Sequence, residues 1–185
     1  LFNVENVSFY INSSVNQLSV KLNYADMISR YSDSWISLKK FSLGCIVNSD
    51  QKIAKILSNC PVLENLALYF CYELRFVDLS KTLWLRTLEI NHNIRVPGPT
   101  KIVAPHIHCL RLINSQLPCT LVDVSSLHEV KLDICSVSMQ PIFKANILHV
   151  MVLKMLETLQ NVEKLTSGEH FLHVCFWLVI SFSNA

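Results

Sequence analysis

Leu57-Ser58-Asn59-Cys60-Pro61-Val62-Leu63-Glu64-Asn65-Leu66-Ala67-Leu68-Tyr69-Phe70-Cys71 is the stretch that decides the fold. Leu63, Leu66, Leu68 and Cys71 carry the spacing L-x-x-L-x-L-x-x-C, the mark of one leucine-rich repeat. Successive side chains of a strand point to opposite faces. Leu66 and Leu68 therefore share one face, and Asn65, Ala67 and Tyr69 take the other. Leu63 joins the apolar side where the chain bends into the strand. Cys71 stands where the chain leaves it, a buried turn that suits a small group able to hydrogen-bond.

The phrase returns along the chain as Leu38/Phe41/Leu43, Leu85/Leu88/Ile90, Ile107/Leu110/Leu112 and Leu127/Val130/Leu132. Counting from Leu38 through Leu63, Leu85 and Ile107 to Leu127, the steps are 25, 22, 22 and 20 residues. Steps of about 20 to 29 residues define this repeat class. The closing Asn or Cys recurs in register at Cys71, Asn93 and Cys135, and one place early at Cys45 and Asn114. Weaker copies lie at Val15/Leu18/Val20 and Val162/Leu165. The expected fold is an α/β leucine-rich-repeat solenoid of roughly six or seven irregular repeats over residues 1–168. Parallel strands form its concave face, with helices and short extended segments on the convex face.

The segments between these strands differ. Ser49 or Asp50 can cap a helix in which Ile53, Ala54, Ile56 and Leu57 recur at helical spacing, and Pro61 prevents its continuation. Over residues 63–90 the apolar phrase recurs at half the period, through Leu74/Val77/Leu79. Such a gap is too short for a strand, two loops and a full helix. Leu74–Leu79 is therefore expected to be extended and convex, a role repeated by Lys101–Ala104 and Leu121–Val124. Pro97-Gly98-Pro99 and Pro105 mark turns. Ile147, Leu148, Met151, Val152, Met155, Leu156 and Leu159 form a helical stripe, read as a helical insertion near 146–160 capped by Asn146. Near the N-terminus Val7 and Phe9 alternate as in a strand, ahead of the turn-like Asn12-Ser13-Ser14. The tail 169–185 contains the apolar run Phe171–Phe182, short of the roughly 20 residues that span a bilayer. It reads either as a last strand capping the core or as sequence foreign to the repeats, because solenoid ends normally turn polar.

The chain is 51% hydrophobic and 16% charged, with a net charge of +2. That composition supplies a long apolar core, and without a basic cluster it points to neither nucleic acid nor an anionic membrane as partner. Seven cysteines without a C-x-x-C pair suggest buried thiols in a reducing compartment, cytoplasm or nucleus. The start, Leu1-Phe2-Asn3-Val4-Glu5-Asn6, lacks Met and a signal-peptide profile and reads as a piece of a longer chain. The sequons Asn6-Val7-Ser8 and Asn12-Ser13-Ser14 then read as coincidence.

Catalytic motifs are not found. Gly44, Gly98 and Gly168, the three glycines, are too far apart for a P-loop or a dinucleotide-binding turn. No G-x-S-x-G elbow occurs. His128-Glu129 opens like a zinc-protease motif, but Leu132 stands where the second histidine belongs. His106, His108 and Cys109, like His170 and His173, lack a second ligand pair and read as ordinary strand residues. Cys175, beside Phe176 and Trp177, reads as buried rather than reactive. The expectation is a non-enzyme with no cofactor and no metal.

What such a solenoid offers is a surface. Between the leucines, Ser42, Ala67, Glu89, Arg111 and Lys131 form one outward row. Asn65, Thr87, Cys109 and Glu129 form a second, and Tyr69, Asn91, Ile113 and Asp133 a third. Strands about 4.8 Å apart make each row a ladder in which Glu89 and Arg111 can pair. Asn65, Tyr69, Thr87, Glu89, Asn91, Arg111, Lys131 and Asp133 are the candidate binding face for a protein target, Tyr69 and Arg111 being of types enriched at interface centres.

Several phrases resemble the plant F-box/leucine-rich-repeat proteins. They are Ile53-Ala54-Lys55-Ile56-Leu57-Ser58-Asn59-Cys60-Pro61-Val62-Leu63-Glu64, then Leu79-Ser80-Lys81, then Val103-Ala104-Pro105-His106-Ile107, and the run from Met155 through Leu165. The similarity covers roughly 38–168. It implies the substrate-selecting subunit of a Skp–cullin–F-box ubiquitin ligase, whose repeats hold the target while a separate helical F-box binds the adaptor. No F-box-like segment is found, so an adaptor is implied only if an F-box lies outside this chain. Two alternatives stay open: a small-ligand, hormone-like receptor repeat domain, and a truncated stand-alone interaction protein. Extracellular repeats typically carry glycine and proline in every unit, which this chain lacks.

Overall fold

Alternating apolar residues can be buried only if each strand finds a neighbour, and here every neighbour is parallel. The computed structural model describes residues 14–21, 35–44, 49–71, 74–91, 100–115, 119–134, 145–169, 171–172 and 175. In chain order the elements are β1 (Gln17–Lys21), β2 (Lys40–Gly44), α1 (Ser49–Asn59), β3 (Asn65–Tyr69), β4 (Phe76–Asp78), β5 (Thr87–Asn91), β6 (Lys101–Val103), β7 (Cys109–Ser115), β8 (Thr120–Val122), β9 (Glu129–Ile134), α2 (Ala145–Thr158) and β10 (Lys164–Ser167). One sheet has the order β1-β2-β3-β5-β7-β9-β10, and a smaller one runs β4-β6-β8. The chain therefore winds as stacked coils, crossing from the large sheet to a convex element and back. This is the expected leucine-rich-repeat solenoid.

The core lies between the two layers. Phe41, Leu66, Leu88, Leu110 and Val130 stand in register across β2, β3, β5, β7 and β9 and are all buried. Leu43, Leu68, Ile90, Leu112 and Leu132 form a second buried row, and Leu38, Leu63, Leu85, Ile107 and Leu127 a third at the bends. Val77, Ile102 and Leu121 meet them from the convex sheet. Fully burying one such side chain contributes about 1.5–3 kcal/mol, so the repeated leucine is the unit of stability as well as of sequence.

Stacking distance is set by the backbone where the strands begin. The carbonyls of Asn16, Lys39, Glu64, Arg86 and His108 each accept two N–H groups from the next coil, at 2.8–3.1 Å. Arg86 O, for instance, receives His108 N and Cys109 N. The fork recurs across both a helical and an extended convex segment, but after α2 the carbonyl of His128 accepts, among the described residues, Lys164 N alone, at 3.0 Å.

The convex layer adapts. Where the half-period phrase predicts extended segments, three short strands occur, flanked by α1 beside β4 and α2 beside β8. The third, Thr120–Val122, lies slightly ahead of the expected Leu121–Val124. Asp123 there adopts left-handed backbone with φ 49°. Thr100, buried just before β6, donates its Oγ1 hydrogen to Leu74 O at 2.7 Å and so stitches this layer internally. Asp50 is not the simple helix cap expected. It lies in the first turn of α1, and its Oδ1 accepts Arg75 N at 2.9 Å and Phe76 N at 3.2 Å. The carboxylate thus terminates the open edge of β4.

Three further readings need correction. Asn114 is not the closing residue of its repeat. Phe70 and Asn114 both adopt left-handed backbone, with φ of 51° and 50°, and turn the chain inward. The next residue, Cys71 or Ser115, is buried. Ser115 is therefore the counterpart of Cys71, and among the described residues its Oγ has no hydrogen-bond partner. Asn93, Cys45 and Cys135 lie outside the described residues, as do Val7 and Phe9. Asn146 falls inside α2 instead of capping it. The tail does not begin as a strand: Glu169, Phe171, Leu172 and Cys175 have helical backbone, and Phe171 is buried in the core.

The two ends of the large sheet differ. Leu18 in β1 is 4% exposed, whereas Leu165 in β10, in register with Val130, is 48% exposed. Gly168 closes β10 against Asp133, where an added Cβ would lie 2.5 Å from Asp133 Cγ. That position has no room for a side chain. No described helix is long and apolar enough to cross a membrane.

Candidate functional site

Residues one, three and five of each large-sheet strand point away from the core, and pairing brings them into rows. Ala67, Glu89, Arg111 and Lys131 are successive partners across β3, β5, β7 and β9. Asn65, Thr87, Cys109 and Glu129 form the second row, and Tyr69, Asn91, Ile113 and Asp133 the third. All eight candidate residues therefore share one face. Asn65, Tyr69, Thr87, Glu89, Asn91, Arg111 and Asp133 are half-buried there, and Lys131 is exposed.

The centre of this face is a charged group of three. Arg111 Nη1 lies 3.9 Å from Glu89 Oε2, so the pairing expected from the ladder is present. On its other side the Glu89 carboxylate acts on the Tyr69 phenol. Burial first, and then the Glu89 carboxylate, push the Tyr69 phenol above its ordinary pKa. Glu89 is thus held between a neutral donor and a cation. Its side chain is 18% exposed while that of Arg111 is 43% exposed. The long, solvent-facing ion pair contributes little to stability, about 0–1 kcal/mol. It leaves the guanidinium partly exposed, next to Lys131 in the same row. Such a patch can meet a polar or acidic group on a partner.

A second row of polar residues borders the strand starts. Lys39 Nζ meets Glu64 Oε1 at 2.9 Å, and Lys164 Nζ meets Glu129 Oε1 at 3.3 Å. His108 and His128 lie in adjacent coils with ring centroids 5.2 Å apart. Partial burial, then the charges of Arg86 and His128, push the His108 imidazole below its usual pKa. This neighbour pair was not legible in the sequence, because His108 and Cys109 invited a local grouping while the ladder pairs His108 with His128. Among the described residues no three His, Cys, Asp or Glu side chains converge to hold a metal ion. His170 and His173 lie outside them.

The described cysteines are free thiols. Burial pushes Cys60 and Cys119 up to about 12 and also raises Cys175. Cys71 is buried, and Cys109 is half-exposed on the concave face. At pH 8 a thiol with a pKa near 12 is only about one part in ten thousand thiolate. Iodoacetamide labelling of the native protein, followed by peptide mass mapping, is expected to modify Cys109 first among these residues. Cys60 and Cys119 should stay unmodified until denaturant is added; early labelling of either would contradict the packed core.

The sequence is 55% identical over 168 residues to a protein of Arabidopsis thaliana named as an F-box/LRR-repeat protein, matching 90% of this chain and 36% of that one. A second F-box/LRR-repeat protein of the same plant is 51% identical over 166 residues, covering 90% of this chain and 36% of its own length. A third is 48% identical over 188 residues, with 92% and 39% covered. The chain thus spans less than half the length of these relatives. No family model and no solved structure matches it.

Proposed function

The chain belongs with the plant F-box/leucine-rich-repeat proteins, and on that premise we propose that it is the target-holding repeat region of a Skp–cullin–F-box ubiquitin-ligase subunit. Its coarser role, protein interaction through leucine-rich repeats, follows from kinship and fold together. The finer role is supported chiefly by the Tyr69–Glu89–Arg111 group at the centre of the concave sheet. In this reading the chain works without catalytic residues, in the cytoplasm or nucleus. A protein target lies along the rows, anchored near Arg111 and Lys131, and is held where a separate enzyme can modify it. A ligase adaptor is a partner only if an F-box lies outside these residues.

The test is cross-linked capture from plant extract, with quantification of the retained proteins. A specific target should be retained by the native protein and lose at least about thirtyfold in affinity when Tyr69, Glu89 and Arg111 are all changed to Ala. Lys55→Ala, on the exposed face of α1, is the control and should retain it. Equal retention by the triple variant would remove the concave face from the function.

A further inference from the structure

The turns that precede the strands form an edge of their own, separate from the concave face. In most coils a backbone bond between residues three apart closes the turn, as in Leu38 N to Trp35 O, Leu63 N to Cys60 O and Leu85 N to Thr82 O. Each turn therefore presents its two central residues outward, and stacking places them side by side. Over four neighbouring coils this row is mostly apolar: Ile36 and Ser37, then Pro61 and Val62, then Leu83 and Trp84, then Pro105 and His106, with its wholly apolar centre in the middle two turns. Ser14 precedes it, and Ser125-Ser126 and Gln160-Asn161 follow it, so the strip is bounded at both ends. Leu83 and Trp84 are each 60% exposed and Ile36 is 56% exposed. An apolar strip of this kind with a polar border is a mark of an interaction site.

We propose that this edge docks an amphipathic helix with an acidic border, supplied by a partner protein. Three observations select that occupant. Four coils at about 4.8 Å spacing give a strip near 15 Å long, the length of about ten helical residues. Where the turns meet the strands, Lys39, Glu64, Arg86 and His108 all donate their N–H groups to the preceding coil, so these groups are not open to a partner strand. The exposed apolar side chains are then the main contact the edge offers. The charge alongside is positive: Lys39, Lys40 and Arg86 stand against Glu64, which is held by Lys39 at 2.9 Å. The edge is also rigid. Arg86 Nη1 donates to Leu83 O at 2.9 Å and to His106 O at 3.2 Å, tying two successive turns together. Thr82 Oγ1 donates to Leu79 O at 2.8 Å, fixing the turn that carries Trp84.

The probe is a fluorescein-labelled twelve-residue helical peptide with a leucine stripe bordered by glutamates, read by anisotropy against the intact chain. A second peptide of the same length carries lysines in place of the glutamates. The glutamate peptide should bind about tenfold or more tightly than the lysine peptide, with a Kd of about 10–100 µM. Trp84→Ala should weaken it about tenfold, Lys40→Glu should weaken it measurably, and the Tyr69 and Arg111 variants should leave it unchanged. Both Trp84 and Lys40 are exposed, so these variants fold. Equal binding of the two peptides overturns the proposal, as does binding that Trp84→Ala does not weaken. A concentration-dependent dimer that Trp84→Ser dissolves reassigns the edge to a second copy. Retention on phosphatidylserine vesicles without peptide binding reassigns it to a membrane surface. None of these outcomes bears on the concave-face reading.

Discussion

Leu110→Ala is expected to destabilise the fold by about 2–5 kcal/mol, the range for emptying a fully packed leucine site. Leu110 is fully buried, with Leu88 on one side and Val130 on the other in the same row. Neither neighbour can move in to fill the space, because each is held in register by strand pairing and by the forked carbonyls of Arg86 and His108. The lost contacts are also shared between three coils, and stability in a stacked array is a sum of such interfaces. The measurement is urea unfolding followed by circular dichroism, with Val122→Ala as reference. Val122 points outward from β8, and its loss should cost no more than about 0.5 kcal/mol. A Leu110 variant no less stable than the Val122 variant would mean that the row is not the core.

The second large effect is expected at Asp50. Asp50→Ala removes the acceptor of two backbone N–H groups, those of Arg75 and Phe76. Hydrogen bonds to a charged acceptor are each worth about 1.5–3 kcal/mol, and solvent access at this edge lowers that. The net cost should be about 1–3 kcal/mol. It should also be local. Hydrogen exchange at Arg75 and Phe76 is expected to accelerate while that of Leu88 and Leu110, deep in the large sheet, stays slow. Asp50→Asn keeps an acceptor oxygen and should recover part of the loss. Uniform acceleration across both sheets would mean that Asp50 supports the whole array and not its convex margin.

Asp50 also shows where sequence reading stops. Its position before an apolar helical stripe advertised a cap, which is a local signal. Its partners lie 25 and 26 residues away, and no spacing rule carries that information. The concave rows were legible because a strand alternates with period two and the repeat length brings each row into line, so Glu89 and Arg111 could be paired on paper. The short convex strands were legible for a similar reason, an interval too short for a helix. Ser115 was not, because Asn114 has the expected residue type one place earlier and only its left-handed backbone reveals which of the two turns inward. The helical start of the tail escaped because Phe171–Phe182 has no periodicity to separate strand from helix. The apolar turn row escaped for another reason. Ile36, Pro61 and Trp84 belong to different repeats, and only stacking makes them neighbours.

The forked carbonyls have a consequence for how this gene family can change. Five successive coils are gauged at one margin, by two N–H groups on one oxygen, and among the described residues the opposite margin carries no such fork. Across those five coils the next strand is held in place whichever convex segment precedes it. One coil can return through an eleven-residue helix and another through a three-residue strand while the concave rows stay aligned. Changes of length on the convex side and single substitutions in the concave rows are thus structurally independent of one another. Duplicated copies can then diverge in partner choice by point mutation, with the scaffold indifferent to how long its outer loops have grown.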